Sequence, residues 1–210
     1  MQIIDKISNF SQTLSRCTPK EFVPYLTNLI LNAKVKFKIV PGRKTKLGDF
    51  RVSNSINKPT ITVNGDLNSY SFLITALHEI AHLNTFRKYG NLVQAHGLEW
   101  KDAFRDLLKP VLDSNLLPED IEKALWKSFI KTKASSCSDL YLSRVLKKYD
   151  IENDKLQLEN LAKNSTFVLN GKLFSKGNLR RTRFECVEIS TGKRFLVHAL
   201  ANVLLISNNE

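Results

Sequence analysis

The sequence predicts an α+β protein, in which a long central helix packs with a small β-sheet and further helices and is followed by a small C-terminal antiparallel β domain. Three observations carry this. Residues 69–89 contain neither proline nor glycine until Gly90, and they read as one helix. The preceding stretch, Val35 to Val63, alternates apolar and polar residues between turn signals, as half-buried strands do. Beyond Asp150, short apolar segments alternate with turns, and Asn170-Gly171 is a strong hairpin signal.

The elements follow in order. Ile3, Ile4, Ile7, Phe10 and Leu14 recur at helical spacing and form a first amphipathic helix. Thr18-Pro19 reads as a helix start, with Thr18 as cap and Pro19 in the first turn, and the helix carries Phe22, Leu26, Leu29 and Ile30. Val35–Ile39, Leu47–Val52 and Thr60–Val63 are expected as strands, with a turn at Pro41-Gly42. Asn64-Gly65 ends the sheet, and Asn68 or Ser69 caps the long helix. Trp100, Phe104, Leu107 and Leu108 make another amphipathic helix, expected to stop near Pro110, with Trp100 in the core. Pro118 opens one more, through Ile130. Residues 131–138 are small and polar, a candidate linker before a helix over Leu140–Leu146. Domain boundaries are therefore expected at 1–131 and 132–210, the second comprising a linker helix and a basic β domain. Strand periodicity there assigns Phe184 and Phe195 to the core.

The long helix carries His78-Glu79-Ile-Ala-His82. Residues four apart share a helical face one turn apart, so His78 and His82 can hold one metal ion between their imidazoles. Zinc held by three protein groups keeps a position open for water and lowers that water's pKa to roughly 7. Glu79, one residue round the helix, can then take the water proton as general base. A third ligand must come from the remaining histidines, His96 and His198. His96 is the better placed, because a short loop after Gly90 can turn it back over the helix. Glu99 could accept from a ligand imidazole or simply sit on the helix surface, and Tyr70 and Tyr89 are candidates for stabilising an oxyanion.

The motif pair His78-Glu79-Ile-Ala-His82-Leu83 and Ala95-His96-Gly97-Leu-Glu99-Trp100 resembles the SprT-like family of zinc metallopeptidases, over roughly residues 20–110. That resemblance implies a zincin-like fold around the motif helix, one Zn2+ bound by His78, His82 and His96, and Glu79 as general base. It also implies protein substrates, cut while they are held on or crosslinked to DNA. Some members carry a C-terminal zinc ribbon with paired Cys-x-x-Cys motifs; this chain has Cys186 without such partners, so one zinc is expected, not two.

The 32 Lys+Arg against 20 Asp+Glu give a net charge of +12, which favours a polyanionic partner, DNA above all. Two clusters could meet phosphates. One runs from Lys34 to Lys46 and includes Lys36, Lys38, Arg43 and Lys44; the other is Arg180-Arg181-Thr-Arg183. The first could equally be lysine protection of an edge strand, and the second a plain solvated turn. No apolar run approaches 18 residues, so no membrane partner is expected. The acidic Asp5 near the N-terminus argues against secretion, and three scattered cysteines argue for reduced thiols. A cytoplasmic location follows, at the nucleoid if the chain binds DNA. The function expected is zinc-dependent hydrolysis of peptide bonds in DNA-bound or DNA-crosslinked proteins. The alternative is a zinc-stabilised nucleic-acid-binding or regulatory protein in which peptidase activity is vestigial.

Overall fold

In the computed structural model, the described residues are 2–43, 45–52, 59–131, 139–151 and 156–207. They form two units, divided between Ile151 and Glu152. Among these residues no helix is long and apolar enough to cross a membrane.

The first unit is α+β. Helices α1 (Gln2–Leu14) and α2 (Val23–Asn32) precede strands β1 (Lys36–Val40), β2 (Gly48–Arg51) and β3 (Thr60–Asn64). Helices α3 (Ser69–Tyr89), α4 (Leu98–Asp113), α5 (Glu119–Lys131) and α6 (Leu140–Lys147) follow. The sheet has the order β1-β3-β2, with β1 parallel and β2 antiparallel to the central β3. Ile61 and Val63 of β3 point inward and are fully buried, and Phe37 and Ile39 of β1 pack on the same core. The alternate residues Lys36, Lys38, Thr60, Thr62, Asp49 and Arg51 share the other face, as the period of two requires.

Helix α3 is the centre of this unit. Every residue from Phe72 to Ala81 is buried, so the helix is enclosed on all sides rather than amphipathic. Asn68 begins it as expected: its side-chain oxygen accepts from the Ser71 amide. The Asn68 amide also donates to the Leu146 carbonyl at 3.0 Å and to the Asp150 carboxylate at 2.6 Å, which ties α6 to the start of α3. Leu142 and Val145 enter the same core, and the Tyr149 hydroxyl donates to Asp120 of α5. The helix expected as part of a linker thus closes the first unit, which moves the boundary from 131 to 151.

Two further expectations are corrected. Helix α4 continues through Pro110 to Asp113 instead of stopping there. Burial of Val111 and Leu112, each 1% exposed, outweighs the hydrogen bond that proline removes. Thr18 does not cap a helix: a short 3-10 turn, Lys20–Phe22, comes first, and no side chain caps it or α2.

The second unit is an antiparallel sheet of β4 (Thr166–Leu169), β5 (Lys172–Arg180), β6 (Arg183–Glu188), β7 (Arg194–His198) and β8 (Leu204–Ser207), in the order β7-β6-β5-β4-β8. Asn170 and Gly171 make the two-residue turn between β4 and β5, both with positive φ, 51° and 76°. Phe167, Phe174 and Cys186 fill its core, with Phe184 packed alongside. Phe195, expected inside, lies on the outer strand β7 and is 40% exposed. The Cys17 and Cys186 thiols are free, and Cys137 lies outside the described residues.

Candidate metal centre

His78 and His82 project from one face of α3, one turn apart. The chain leaves that helix through Gly90, at φ +61°, and turns back so that His96 arrives just before α4. His96 itself has φ +62°, a left-handed conformation that histidine enters more readily than most side chains. Gly97 then begins α4, its amide bound to the Gln94 carbonyl. This tight reversal is what returns the third imidazole to the helix.

The three Nε2 atoms converge. They stand 3.1 Å apart between His78 and His82, 2.9 Å between His82 and His96, and 3.1 Å between His96 and His78. Three nitrogens aimed at one point cannot satisfy one another through hydrogen bonds, because each imidazole carries its proton in the ring plane along the same axis as its lone pair. A cation satisfies all three. The centre of the triangle lies about 1.75 Å from each corner, inside the Zn–N bond length of about 2.0–2.1 Å, so the three nitrogens would reach one ion together. These histidines are close enough to bind a metal ion, and no other such group occurs among the described residues.

The electrostatics agree with that geometry. Burial pushes the His78 imidazole down to about 3, with the neighbouring charges of His82 and His96 adding to the effect. Burial, then His96, lowers His82 to about 4, and burial alone lowers His96. All three imidazoles are therefore neutral at physiological pH, which leaves lone pairs for a metal. Trp100, 2% exposed, lies against all three rings, with centroids 4.6 Å from His78, 5.2 Å from His82 and 4.7 Å from His96, and it stacks on Phe104. The core tryptophan expected from the sequence is thus also the floor of the histidine cluster.

Glu79, the residue after His78 on α3, is 7% exposed. Burial pushes its carboxyl up to about 7, and the Asp49 carboxylate adds to the rise. Arg43, Lys46 and the Phe50 amide, which donates to it, oppose the rise. A carboxyl poised near neutrality suits proton transfer in either direction. Strand β2 runs directly past it: a Cβ at Gly48 would stand 2.5 Å from Glu79 Oε1 and 2.8 Å from its Cγ. Gly48 and Phe50 were not among the residues expected at the site. An isolated glycine inside a strand, as in Leu47-Gly48-Asp49-Phe50, was the available sign of such a close approach.

The other predicted residues are placed as follows. Tyr70 packs edge-on against Tyr149, and Tyr89 ends α3 about 10 Å along the axis from His82, so neither joins the cluster. The Glu99 carboxylate lies close to Gly97, where Oε2 would stand 3.2 Å from an added Cβ. His198 lies on β7 of the second unit, where its Nδ1 accepts from the Leu200 amide. Arg43, expected as a phosphate contact, is engaged inside the protein. Its Nε donates to Asn64 Oδ1 at 2.8 Å and its Nη1 to Thr62 Oγ1 at 3.0 Å. Asn64, 1% exposed, in turn holds the Arg43 and Lys46 carbonyls, so this network shapes the loop that leads into β2. Lys36 and Lys38 are exposed, and Lys44 lies outside the described residues. Arg180, Arg181 and Arg183 are exposed at the β5–β6 turn.

Comparison with protein-family models, with curated proteins and with solved structures found no match.

Proposed function

We propose that this protein is a zinc-dependent metalloendopeptidase acting on proteins bound or crosslinked to DNA, in the cytoplasm and at the nucleoid. The observation that carries the reading is the convergence of three neutral imidazole nitrogens beside a buried carboxyl that is not one of the ligands. His78, His82 and His96 would hold the ion. When bound, zinc supplies Lewis-acid polarisation of a carbonyl and activation of water at neutral pH. Glu79 accepts a proton during attack and returns it to the leaving amine, and its pKa of about 7 suits both directions. Trp100 keeps the rings in place from below and excludes water from that side. The outer edge of β2, which pairs with no strand among the described residues, offers backbone groups with which an extended polypeptide can pair.

The nucleic-acid part rests on the β5–β6 turn in addition to the net charge. Arg180 and Arg183 face each other across the hairpin, and Arg181 sits at φ +56°. Like charges directly opposite destabilise a strand pair, and a left-handed arginine is strained. Among the described residues, Glu185 comes 3.8 Å from Arg180. A hairpin tip that holds three arginines against its own stability suits phosphate oxygens. The same tip supports the second reading, a zinc-stabilised nucleic-acid-binding or regulatory protein with vestigial peptidase activity.

Cleavage of a basic DNA-binding protein by the zinc-loaded chain decides between them, measured with and without single-stranded and duplex DNA beside a Glu79→Gln control. Cleavage that needs DNA and vanishes in the control is the expected result. Cleavage independent of DNA removes the nucleic-acid part. No cleavage, despite one bound zinc and tight DNA binding, selects the second reading.

A further inference from the structure

Strand β2 lies at the edge of its sheet and pairs only with β3 among the described residues. The Asn64 amide donates to the Leu47 carbonyl, and the register continues Gly48↔Val63, Asp49↔Thr62, Phe50↔Ile61 and Arg51↔Thr60. In an antiparallel ladder bonded pairs alternate, so Asp49 and Arg51 face β3 with their backbone groups while Gly48 and Phe50 turn theirs to the free edge. The Glu79 carboxylate is found at that edge. It accepts from the Phe50 amide and fills the space that a side chain at Gly48 would need. Phe50 is itself fixed by its ring, 5.9 Å from Phe86 of α3.

We infer that Gly48 and Phe50 are positioning residues for Glu79, and that an extended substrate backbone joining the free edge of β2 takes over the Phe50 N–H and frees the carboxylate for the metal centre. This rests on the peptidase reading and adds to it a coupling between substrate conformation and the base. The Phe50 amide is one donor with two claimants: the carboxylate when the edge is bare, and a substrate carbonyl when it is paired. Substrates long enough to lie along β2 therefore release the base, whereas a dipeptide cannot compete for that donor. The substrate class that follows is extended or unfolded polypeptide, not short peptides or folded loops.

The first test compares the zinc-loaded wild type with Gly48→Ala on a reduced, carboxymethylated protein and on a blocked dipeptide amide. A methyl at position 48 displaces the carboxylate, so kcat on the unfolded protein is expected to fall about 100-fold, the scale of general-base catalysis, with KM and zinc stoichiometry unchanged. In the wild type, the dipeptide is expected to lose at least about tenfold in kcat relative to the protein. Unchanged kcat in Gly48→Ala, or equal kcat on both substrates, overturns the inference.

The second test needs no activity. A Cβ at 48 would also meet Thr75 Cγ2 at 2.7 Å, so both backgrounds carry Thr75→Ser. In metal-free protein, Gly48→Ala is expected to lower the urea midpoint when Glu79 is present, and by less than half as much when Glu79→Ala has removed the clash. Equal losses overturn the contact. If Gly48→Ala fails to fold with Glu79 in place, recovered folding in the Glu79→Ala background reads the same contact. A wild type that hydrolyses nothing refutes the peptidase reading alone, because this cycle still measures how β2 holds Glu79.

Discussion

Replacing Glu79 with Gln is expected to make the metal-free protein more stable while abolishing hydrolysis. The unfolded chain releases the Glu79 proton near 4.5, whereas the folded protein keeps it up to about 7. Between those values unfolding releases a proton, so stability falls as pH rises; below 4.5 both states are protonated and there is no penalty. Above 7 the penalty is complete. The difference of about 2.5 pH units, at about 1.36 kcal/mol each, sets it at about 3 kcal/mol. Glutamine keeps the shape and can still accept from the Phe50 amide, but it has no proton to lose. Urea unfolding followed by tryptophan fluorescence, in chelator, measures this directly, because Trp100 and Trp126 both belong to the first unit. The two proteins should unfold together at pH 4.5 and diverge to a midpoint gap of roughly 1.5 M urea at pH 8, for a slope of about 2 kcal/mol per M. Histidine titrations occur in both proteins and cancel in the comparison. A gap independent of pH, or a glutamine variant less stable at pH 8, would refute the reasoning that burial at this site opposes the charge.

Other outcomes follow from the same geometry. The Glu79→Gln protein, freed of the opposing carboxyl, should lose stability in acid without metal: the folded His78 and His82 titrate at about 3 and 4 against 6.5 unfolded, so their contribution is present above 6.5 and lost as pH falls toward 4. A midpoint that does not move between pH 7 and 4.5 would contradict the burial of those rings. His96→Ala should reduce zinc stoichiometry below one in equilibrium dialysis, and full occupancy would mean that the third ligand lies elsewhere. Replacing Arg180, Arg181 and Arg183 with Ala should weaken DNA binding, keep the zinc, and flatten the slope of log K against log salt by about 2.7 if three phosphate contacts are lost. An unchanged slope would turn attention to Lys36 and Lys38.

Local signals were legible where one residue type decides one backbone feature. Asn68 caps α3, Asn170-Gly171 turns the β4–β5 hairpin, and His-Glu-x-x-His on an unbroken helix brings two imidazoles to one face. His96 was reachable as well, because glycines on both sides of it allow a sharp return. What resisted reading is decided by distant contacts. The parallel pairing of β1 with β3 places β2, a middle strand in sequence, at the edge beside Glu79. Pro110 looked like a helix end because its local cost is plain, while the burial of Val111 and Leu112 that outweighs it is not. Arg43 looked like a free cation until Asn64 and Thr62 were found to hold it. Phe195 follows strand alternation, but its strand is outermost, so its face is only partly covered.

The closing role of α6 determines where this chain can be cut or recombined. A fragment ending at Lys131 would strip Leu142 and Val145 from the core and leave the Asn68 amide without the Leu146 carbonyl and Asp150. Its damage would reach the start of the helix that carries His78, although no histidine had been touched. Gene fusions that exchange the second unit for another module would have to join after Ile151 to inherit an intact histidine cluster. An insertion between Leu146 and Asp150 would separate Asn68's two partners.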